Sequence, residues 1–73
     1  MTPAEIAVLR VLRPGAARTL REIQQASTLT PWRTRNAISH LTSRGLITPA
    51  PGNRHRITPR GRAALATKAA RFA

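Results

Sequence analysis

The sequence contains no cysteine and no tyrosine, and only two acidic residues, Glu5 and Glu22. The absence of cysteine excludes disulfide bonds, thiolate metal sites and cysteine nucleophiles. Two carboxylates, both in positions typical of helix caps, leave no pair for acid–base catalysis or for binding a metal. The histidines, His40 and His55, have no evident acidic residue to orient them. The sequence therefore predicts no enzyme, no catalytic residue, no metal and no cofactor.

Long apolar segments are also missing. No apolar run approaches the roughly 20 residues needed to span a bilayer. Residues 1–5 lack the basic and then apolar pattern of a signal peptide. We therefore expect no membrane partner and a cytoplasmic, nucleoid-associated protein. No small-molecule ligand is evident from the sequence.

Positive charge is what the sequence has in excess. The 73 residues include 13 lysines and arginines, which gives a formal net charge of +11. We expect residues 1–73 to form a single small domain, and a domain of this size buries only about 60% of its unfolded surface. The charge must therefore lie on the surface, where it attracts polyanions, most commonly nucleic acid. All but Lys68 of these cations are arginines, which can grip a phosphate or a guanine edge bidentately.

The helix starts share one pattern. A threonine N-cap is followed by proline, by a glutamate that completes a capping box, or by both. This pattern predicts four helices, beginning near Pro3, Leu20, Pro31 and Pro59. Pro14-Gly15 ends the first helix, and Gly45 ends the third as a left-handed residue.

The region between the third and fourth helices predicts a β-hairpin. Residues 46–48 and 54–58 are typical of short strands, and residues 49–53 form a turn-rich loop between them. The fold class is thus mainly α with a small β-hairpin: a three-helix core, a hairpin and a C-terminal helix. Apolar periodicity predicts a core made of Leu20, Ile23, Ala26, Thr34, Ala37, Ile38, Leu41, Leu46, Ile57 and Leu65.

The terminal helices carry more apolar residues than one core face requires. The last helix offers Ala69 and Phe72, and the first helix offers Ile6, Val8, Leu9, Val11 and Leu12 around most of its circumference. Two interpretations are open at this point. The surplus forms a homodimer interface through helix 1 and the C-terminal helix, or the two helices pack on each other within one monomer.

The second and third helices, followed by a hairpin, are typical of a unit whose second helix enters the DNA major groove. Here that helix covers residues 31–44, and its outward side carries no acid. Arginine pairs with guanine and asparagine with adenine in that groove. We predict that the base-reading residues are Arg33, Arg35, Asn36, Ser39 and His40. Trp32 either lies along the DNA backbone or covers the thin core.

Contacts to the DNA backbone are predicted where arginines lie near helix N-termini. Such cations oppose the helix dipole, and phosphates would neutralise them. The start and the end of the helix over residues 31–44 add further contacts. The full predicted set comprises Arg18, Arg21, Thr30, Trp32, Ser43, Arg44 and Arg60.

The hairpin, residues 46–58, is predicted to act as a wing on the adjacent minor groove or backbone, through Asn53, Arg54, His55 and Arg56. Strand alternation places Arg54 and Arg56 on one side and His55 on the other. A solvated charged hairpin is the alternative. The lack of a nearby acid favours DNA contact.

Two segments, HLTSRGLI (40–47) and RHRITPRGRAAL (54–65), resemble the MarR-type winged helix–turn–helix DNA-binding domain. In that pattern a Leu-x-x-x-Gly-Leu-Ile run ends the recognition helix, a basic wing follows, and Leu/Ile-Thr-x-x-Gly opens the next helix. The resemblance covers about residues 4–65 and implies a minimal domain without the long dimerisation helices. It also implies that outward residues of 31–44 read bases and that residues 54–56 lie on the wing.

The sequence therefore predicts sequence-specific binding of double-stranded DNA by a transcriptional regulator, with repression favoured over activation. One alternative is a small basic winged-helix module, or inhibitor, that binds an acidic protein partner. Another is a DNA-architectural or recombination-directionality factor. RNA binding is less favoured, because exposed aromatic residues for base stacking are nearly absent.

Overall fold

Four helices and a three-stranded sheet make up the computed structural model, which describes residues 1–72 and their side chains as far as residue 67. The elements in chain order are α1 (Pro3–Leu12), β1 (Arg18–Thr19), α2 (Leu20–Ser27), α3 (Pro31–Ser43), β2 (Ile47–Ala50), β3 (Arg54–Ile57) and α4 (Pro59–Phe72). All four predicted helix starts are confirmed. None of the helices within these described residues has the length and apolar character needed to cross a membrane.

The helix starts are stabilised by the predicted caps. The Thr2 hydroxyl accepts a hydrogen bond from the Glu5 N–H at 3.2 Å, and the Thr2 N–H donates to Glu5 Oε1 at 3.0 Å. Thr19 and Glu22 form the same reciprocal box at 3.2 and 2.8 Å. Each box satisfies donors that the first helical turn leaves free.

Helix α1 lies at the centre of the domain and packs against α2, α3, α4 and β3. Its residues Val8, Leu9 and Leu12 are fully buried, and Ile6 and Val11 are partly buried against the same core. The wide apolar surface of α1 is therefore largely used inside the monomer, where α1 packs on α4, and the homodimer stays a prediction. Two other residues named for that interface, Ala69 and Phe72, lie outside the residues whose side chains are described.

Most of the predicted core is confirmed. Leu20 is partly buried, and the buried members are Ile23, Thr34, Ala37, Ile38, Leu41, Leu46, Ile57 and Leu65. The prediction for Ala26 is wrong, because this residue is exposed. Ile23 lies at the middle of the buried side of the short helix α2. Ala26, three positions later, lies at the edge of that side and is exposed to solvent.

The sheet is larger than the predicted hairpin. Its strands are antiparallel in the order β1-β3-β2. Strand β1 was not predicted, because its two residues are extended only through pairing with His55 and Arg54 of β3. Pro49 and Ala50, expected in the loop, belong to β2. Proline is tolerated there because β2 is an edge strand, where a missing N–H need not remove a ladder bond.

The hairpin is fixed to the helices at its base by one hydroxyl group. Thr58 Oγ1 donates to the carbonyl oxygens of Gly45 at 2.8 Å and Leu46 at 3.0 Å, and it accepts from the Gly61 N–H at 3.0 Å. The end of α3, the base of the hairpin and the start of α4 therefore meet at Thr58. This junction sets the position of the hairpin relative to α3.

Candidate nucleic-acid interface

Helix α3 has one buried side and one exposed side. Thr34, Ala37, Ile38 and Leu41 are buried, and a rotation of about 100° per residue places the opposite side at Trp32, Asn36, Ser39 and Ser43. Arg33, His40 and Arg44 follow on one flank, and Arg35 lies on the other. All eight of these side chains are exposed. The predicted outward residues of this helix therefore form one continuous exposed surface, which contains no acidic residue.

Trp32 is exposed to 67% of its surface at the start of this helix. The interpretation that Trp32 covers the thin core is therefore wrong. The core is filled without this side chain, since Val8, Leu9 and Leu12 of α1 are fully buried. A large exposed indole has a free face for contact with another molecule.

A groove of about 230 Å³ lies between the start of α1 and helix α3, from Trp32 to His40. Thr2, Pro3 and Ala4 line one wall, and Trp32, Arg33, Asn36 and His40 line the other. The structure thus brings three of the five predicted base-reading residues, Arg33, Asn36 and His40, to one side of α3. Arg35 lies on the other flank, and Ser39 lies between the two.

The groove is also lined by Glu5, a buried carboxylate that the sequence assigns only to a helix cap. The Glu5 side chain is 2% exposed, and its Oε2 lies 3.5 Å from Nδ1 of His40 while its Oε1 lies 3.5 Å from a terminal nitrogen of Arg44. The expectation that His40 has no acidic neighbour is therefore wrong. The capping-box motif locates Glu5 at the start of α1, but it contains no signal that α1 begins beside α3.

The wing presents its arginines on one face. Arg54 and Arg56 of β3 are exposed, whereas His55 is half-buried and Ile57 is buried. The predicted alternation is therefore confirmed. His55 faces the body of the domain, with Nδ1 buried and without a hydrogen-bond partner among the described residues. Burial lowers the pKa of His55 below its ordinary value, because the charged imidazolium is poorly solvated there.

An acidic residue does lie near the wing, contrary to expectation. Pairing of β1 with β3 places Thr19 opposite Arg54, and Glu22 lies in the same region, with Oε2 4.0 Å from a terminal nitrogen of Arg18. The pKa of Glu22 is lowered, chiefly by the hydrogen bond from the Thr19 N–H and further by the charges of Arg18 and Arg54. One exposed carboxylate thus faces two guanidinium groups, which leaves this region positive.

The remaining predicted contacts lie at helix starts. Arg18 and Arg21 flank the start of α2, Thr30 caps α3, and Arg60 is in the first turn of α4; all four are exposed. The Thr30 hydroxyl accepts from the Arg33 N–H at 3.2 Å, and it donates to no acceptor among the residues whose side chains are described. Asn53 lies in the turn of the wing with a left-handed φ of 57°.

Comparison with solved structures identifies this arrangement. The chain superposes on BpsR of Bordetella bronchiseptica with a TM-score of 0.86 and 27% identity over 94% of its length. It superposes on SPO1453, a MarR family transcriptional regulator from Silicibacter pomeroyi DSS-3, with a TM-score of 0.84 and 25% identity over 99% of its length. The chain has the MarR-type winged-helix fold.

The MarR-type resemblance of the two sequence segments is therefore confirmed at the level of the fold. In the MarR-type pattern, α3 corresponds in position to the recognition helix and the hairpin β2–β3 to the wing. The chain spans about half the length of the two similar proteins, 53% and 54% of them respectively. No protein-family model and no curated protein matches the sequence.

Proposed function

We propose that this MarR-type domain binds double-stranded DNA at specific sequences and regulates transcription, as a repressor. The observation that carries the proposal is the exposed, acid-free side of α3 on a chain with a net charge of +11. The two similar structures support it. SPO1453 is a MarR family transcriptional regulator, and BpsR binds DNA under the regulation of 6-hydroxynicotinic acid. The small-molecule response in the description of BpsR is not part of the proposal, because the chain spans only 53% of that protein.

In the proposed complex α3 enters the major groove. That groove is about 12 Å wide and admits an α-helix, and each base pair presents a distinct pattern of donors and acceptors there. Arg33 and Asn36 line the same groove wall of the protein and suit guanine and adenine respectively. Ser39 and His40 lie one turn further along, and Arg35 on the opposite flank contacts a base or a phosphate.

The wing is proposed to contact the adjacent minor groove or its backbone. Arg54 and Arg56 share the exposed face of β3, and a narrow minor groove attracts arginine through its enhanced negative potential. His55 faces the opposite side, so we propose that it supports the wing and does not bind DNA. Asn53 is at the turn and contacts the backbone.

Contacts to phosphates are proposed for the helix starts and for the end of α3. Thr30 offers its hydroxyl proton, Trp32 its exposed indole, and Arg18, Arg21 and Arg60 their charges. Ser43 and Arg44 extend the same line at the end of α3. These contacts hold the register of the protein on the duplex but carry no sequence information.

We propose repression because a protein that fills the major groove and reaches the neighbouring minor groove would exclude other proteins from that site. All of these proposed contacts come from residues of a single copy of the domain, so they do not require a dimer. A homodimer stays a proposal that the binding site itself would reveal, because a symmetric dimer requires half-sites about one helical turn apart.

Selection from random duplexes, followed by titration of the selected site at several salt concentrations, tests the proposal. We expect one enriched motif, tight binding and a steep linear fall of log K with log salt. A palindromic motif establishes the dimer. Equal affinity for all duplexes indicates an architectural protein instead, and absence of duplex binding at low ionic strength overturns the proposal in favour of an acidic protein partner.

A further inference from the structure

Glu5 differs from the second acidic residue of the chain in what surrounds it. Both glutamates occupy the same capping-box position, three residues after a threonine N-cap. Glu22 is about half exposed, 47% at the side chain, whereas the Glu5 side chain is 2% exposed. Glu5 contacts His40 of α3 and Arg44, which caps the C-terminus of α3, and Glu22 contacts neither of them.

A carboxylate this buried must be compensated, because removing a charge from water is costly unless it is paired and hydrogen-bonded. The Thr2 N–H donates to Oε1 at 3.0 Å. His40 Nδ1 and an Arg44 nitrogen each lie 3.5 Å from the carboxylate oxygens. The shortest contact is thus the local one from Thr2, and the two contacts from outside α1 come from His40 of α3 and from Arg44 at its end.

The ring nitrogen of His40 that faces Glu5 is Nδ1, and this determines which nitrogen is exposed. With Nδ1 turned towards the carboxylate, the proton of the neutral ring belongs on Nδ1. The ring remains 54% exposed, and Nε2 is the nitrogen left for an external partner. In the neutral ring Nε2 is an acceptor, which suits the donor amino group of cytosine or adenine in the major groove.

We propose that Glu5 is a specificity-determining positioning residue of the recognition helix: from outside α3 it fixes the ring of His40, so that Nε2 faces a base edge, and it holds Arg44 on the flank from which Arg44 meets a phosphate. This inference rests on the proposed function, since it names a further determinant of the same DNA site. Glu5 touches no DNA itself.

The structure supplies a matched pair of variants for the test, Glu5→Gln and Glu22→Gln. Glutamine at this position keeps a capping box, so both variants retain the helix start, and each removes one negative charge. The two therefore raise non-specific affinity similarly, while only Glu5→Gln disturbs His40 and Arg44. Far-UV circular dichroism verifies that both variants fold.

Affinity for the selected site is compared with affinity for single base-pair changes in it. We expect Glu5→Gln to lose about tenfold in discrimination at one base pair, the scale of one good base contact, whereas Glu22→Gln retains discrimination. In a His40→Ala background Glu5→Gln should no longer alter discrimination at that base pair, because coupled residues are not additive. Equal behaviour of the two glutamine variants, or an undiminished Glu5→Gln effect without His40, overturns the proposal.

A second measurement uses the free protein and does not depend on DNA. The ¹⁵N shifts of the His40 ring at mildly alkaline pH report which nitrogen carries the proton. We expect the proton on Nδ1 in the wild type and a changed distribution in Glu5→Gln but not in Glu22→Gln. A wild-type ring protonated on Nε2 overturns the positioning role even if Glu5→Gln fails to fold. Failure of the wild type to bind duplexes, with the Nδ1 proton in place, overturns only the proposed function.

Discussion

The α-carbon of Gly61 lies directly against the carbonyl oxygen of Leu46, where the start of α4 crosses the base of the wing. A β-carbon on Gly61 would overlap that oxygen and would lie 2.9 Å from Cγ1 of Ile57. The obstacle is backbone, which cannot rotate away as the end of a side chain can. The Ile-Thr-x-x-Gly element thus has a physical basis: Thr58 bonds the junction and Gly61 allows its close approach.

Gly61→Ala should therefore destabilise the domain, although alanine favours a helix by about 1 kcal/mol over glycine. Overpacking typically costs about 1–3 kcal/mol, and because the obstacle is backbone we expect a cost at the upper end of that range. After the gain in helix propensity, a net loss of about 2 kcal/mol remains, measured by urea denaturation. Ala63→Gly, two positions later on the exposed side of α4, provides the control, with a loss of about 1 kcal/mol from helix propensity alone. A Gly61→Ala variant more stable than wild type would contradict the close contact.

Much of this fold can be predicted because its helix starts are local. Thr2 and Glu5, or Thr19 and Glu22, lie three residues apart and make their hydrogen bonds without help from the rest of the chain. The exposed side of α3 follows from the same local logic, since periodicity separates buried Thr34 and Leu41 from the outward residues.

Most of the errors concern contacts between distant parts of the chain. Strand β1 exists because Arg18 and Thr19 pair with β3, and no local pattern encodes that pairing. The contact of Glu5 with His40 and Arg44 requires α1 to cross α3 at its beginning. Trp32 was ambiguous because an aromatic residue suits both a core and an interface, and only the packing of α1 decides between them.

The half-buried His55 predicts a pH-dependent stability. Its pKa in the folded protein lies below the ordinary value of 6.5, so the unfolded chain binds a proton more readily than the folded one. Stability therefore rises with pH through this range. As the pH falls through about 6.5, the unfolded state is protonated first and the domain should lose stability.

Urea midpoints at a series of pH values measure this loss. His55→Phe, which fills similar space without a titratable ring, should flatten the profile, whereas His40→Gln provides the control for the second imidazole. The pKa of Glu22 is lowered from its ordinary value of 4.5, so Glu22 does not titrate in the pH range around 6.5 in which His55 acts. A wild-type profile that rises on acidification would contradict the burial of His55.

The proposed base contacts predict a loss of specificity. Arg33→Ala or Asn36→Ala should each reduce discrimination at one base position by about 1–3 kcal/mol, because each removes a bidentate partner. Titration against the selected site and its single-base variants measures the effect. If the sequence preference is unchanged in both variants, these residues do not read bases.

The proposed phosphate contacts predict a different signature. Arg21→Ala or Arg60→Ala should weaken binding to every duplex by the same factor and lower the slope of log K against log salt by about one unit. Selected and random duplexes are titrated side by side. A loss confined to the selected site would instead assign these arginines to base recognition.

Trp32 is the single tryptophan of the chain, and its exposure makes it both a proposed contact and a reporter. Since the indole is 67% exposed, Trp32→Ala should change the free energy of unfolding by no more than about 0.5 kcal/mol. Loss of a buried aromatic side chain would cost about 3–5 kcal/mol.

Addition of duplex DNA should shift the fluorescence emission of Trp32 to shorter wavelength and protect it from iodide quenching. Because the proposed contact is to the backbone, the variant should lose the same affinity for selected and random duplexes. If the emission is unchanged at saturating concentrations of duplex, Trp32 and the start of α3 do not contact the DNA.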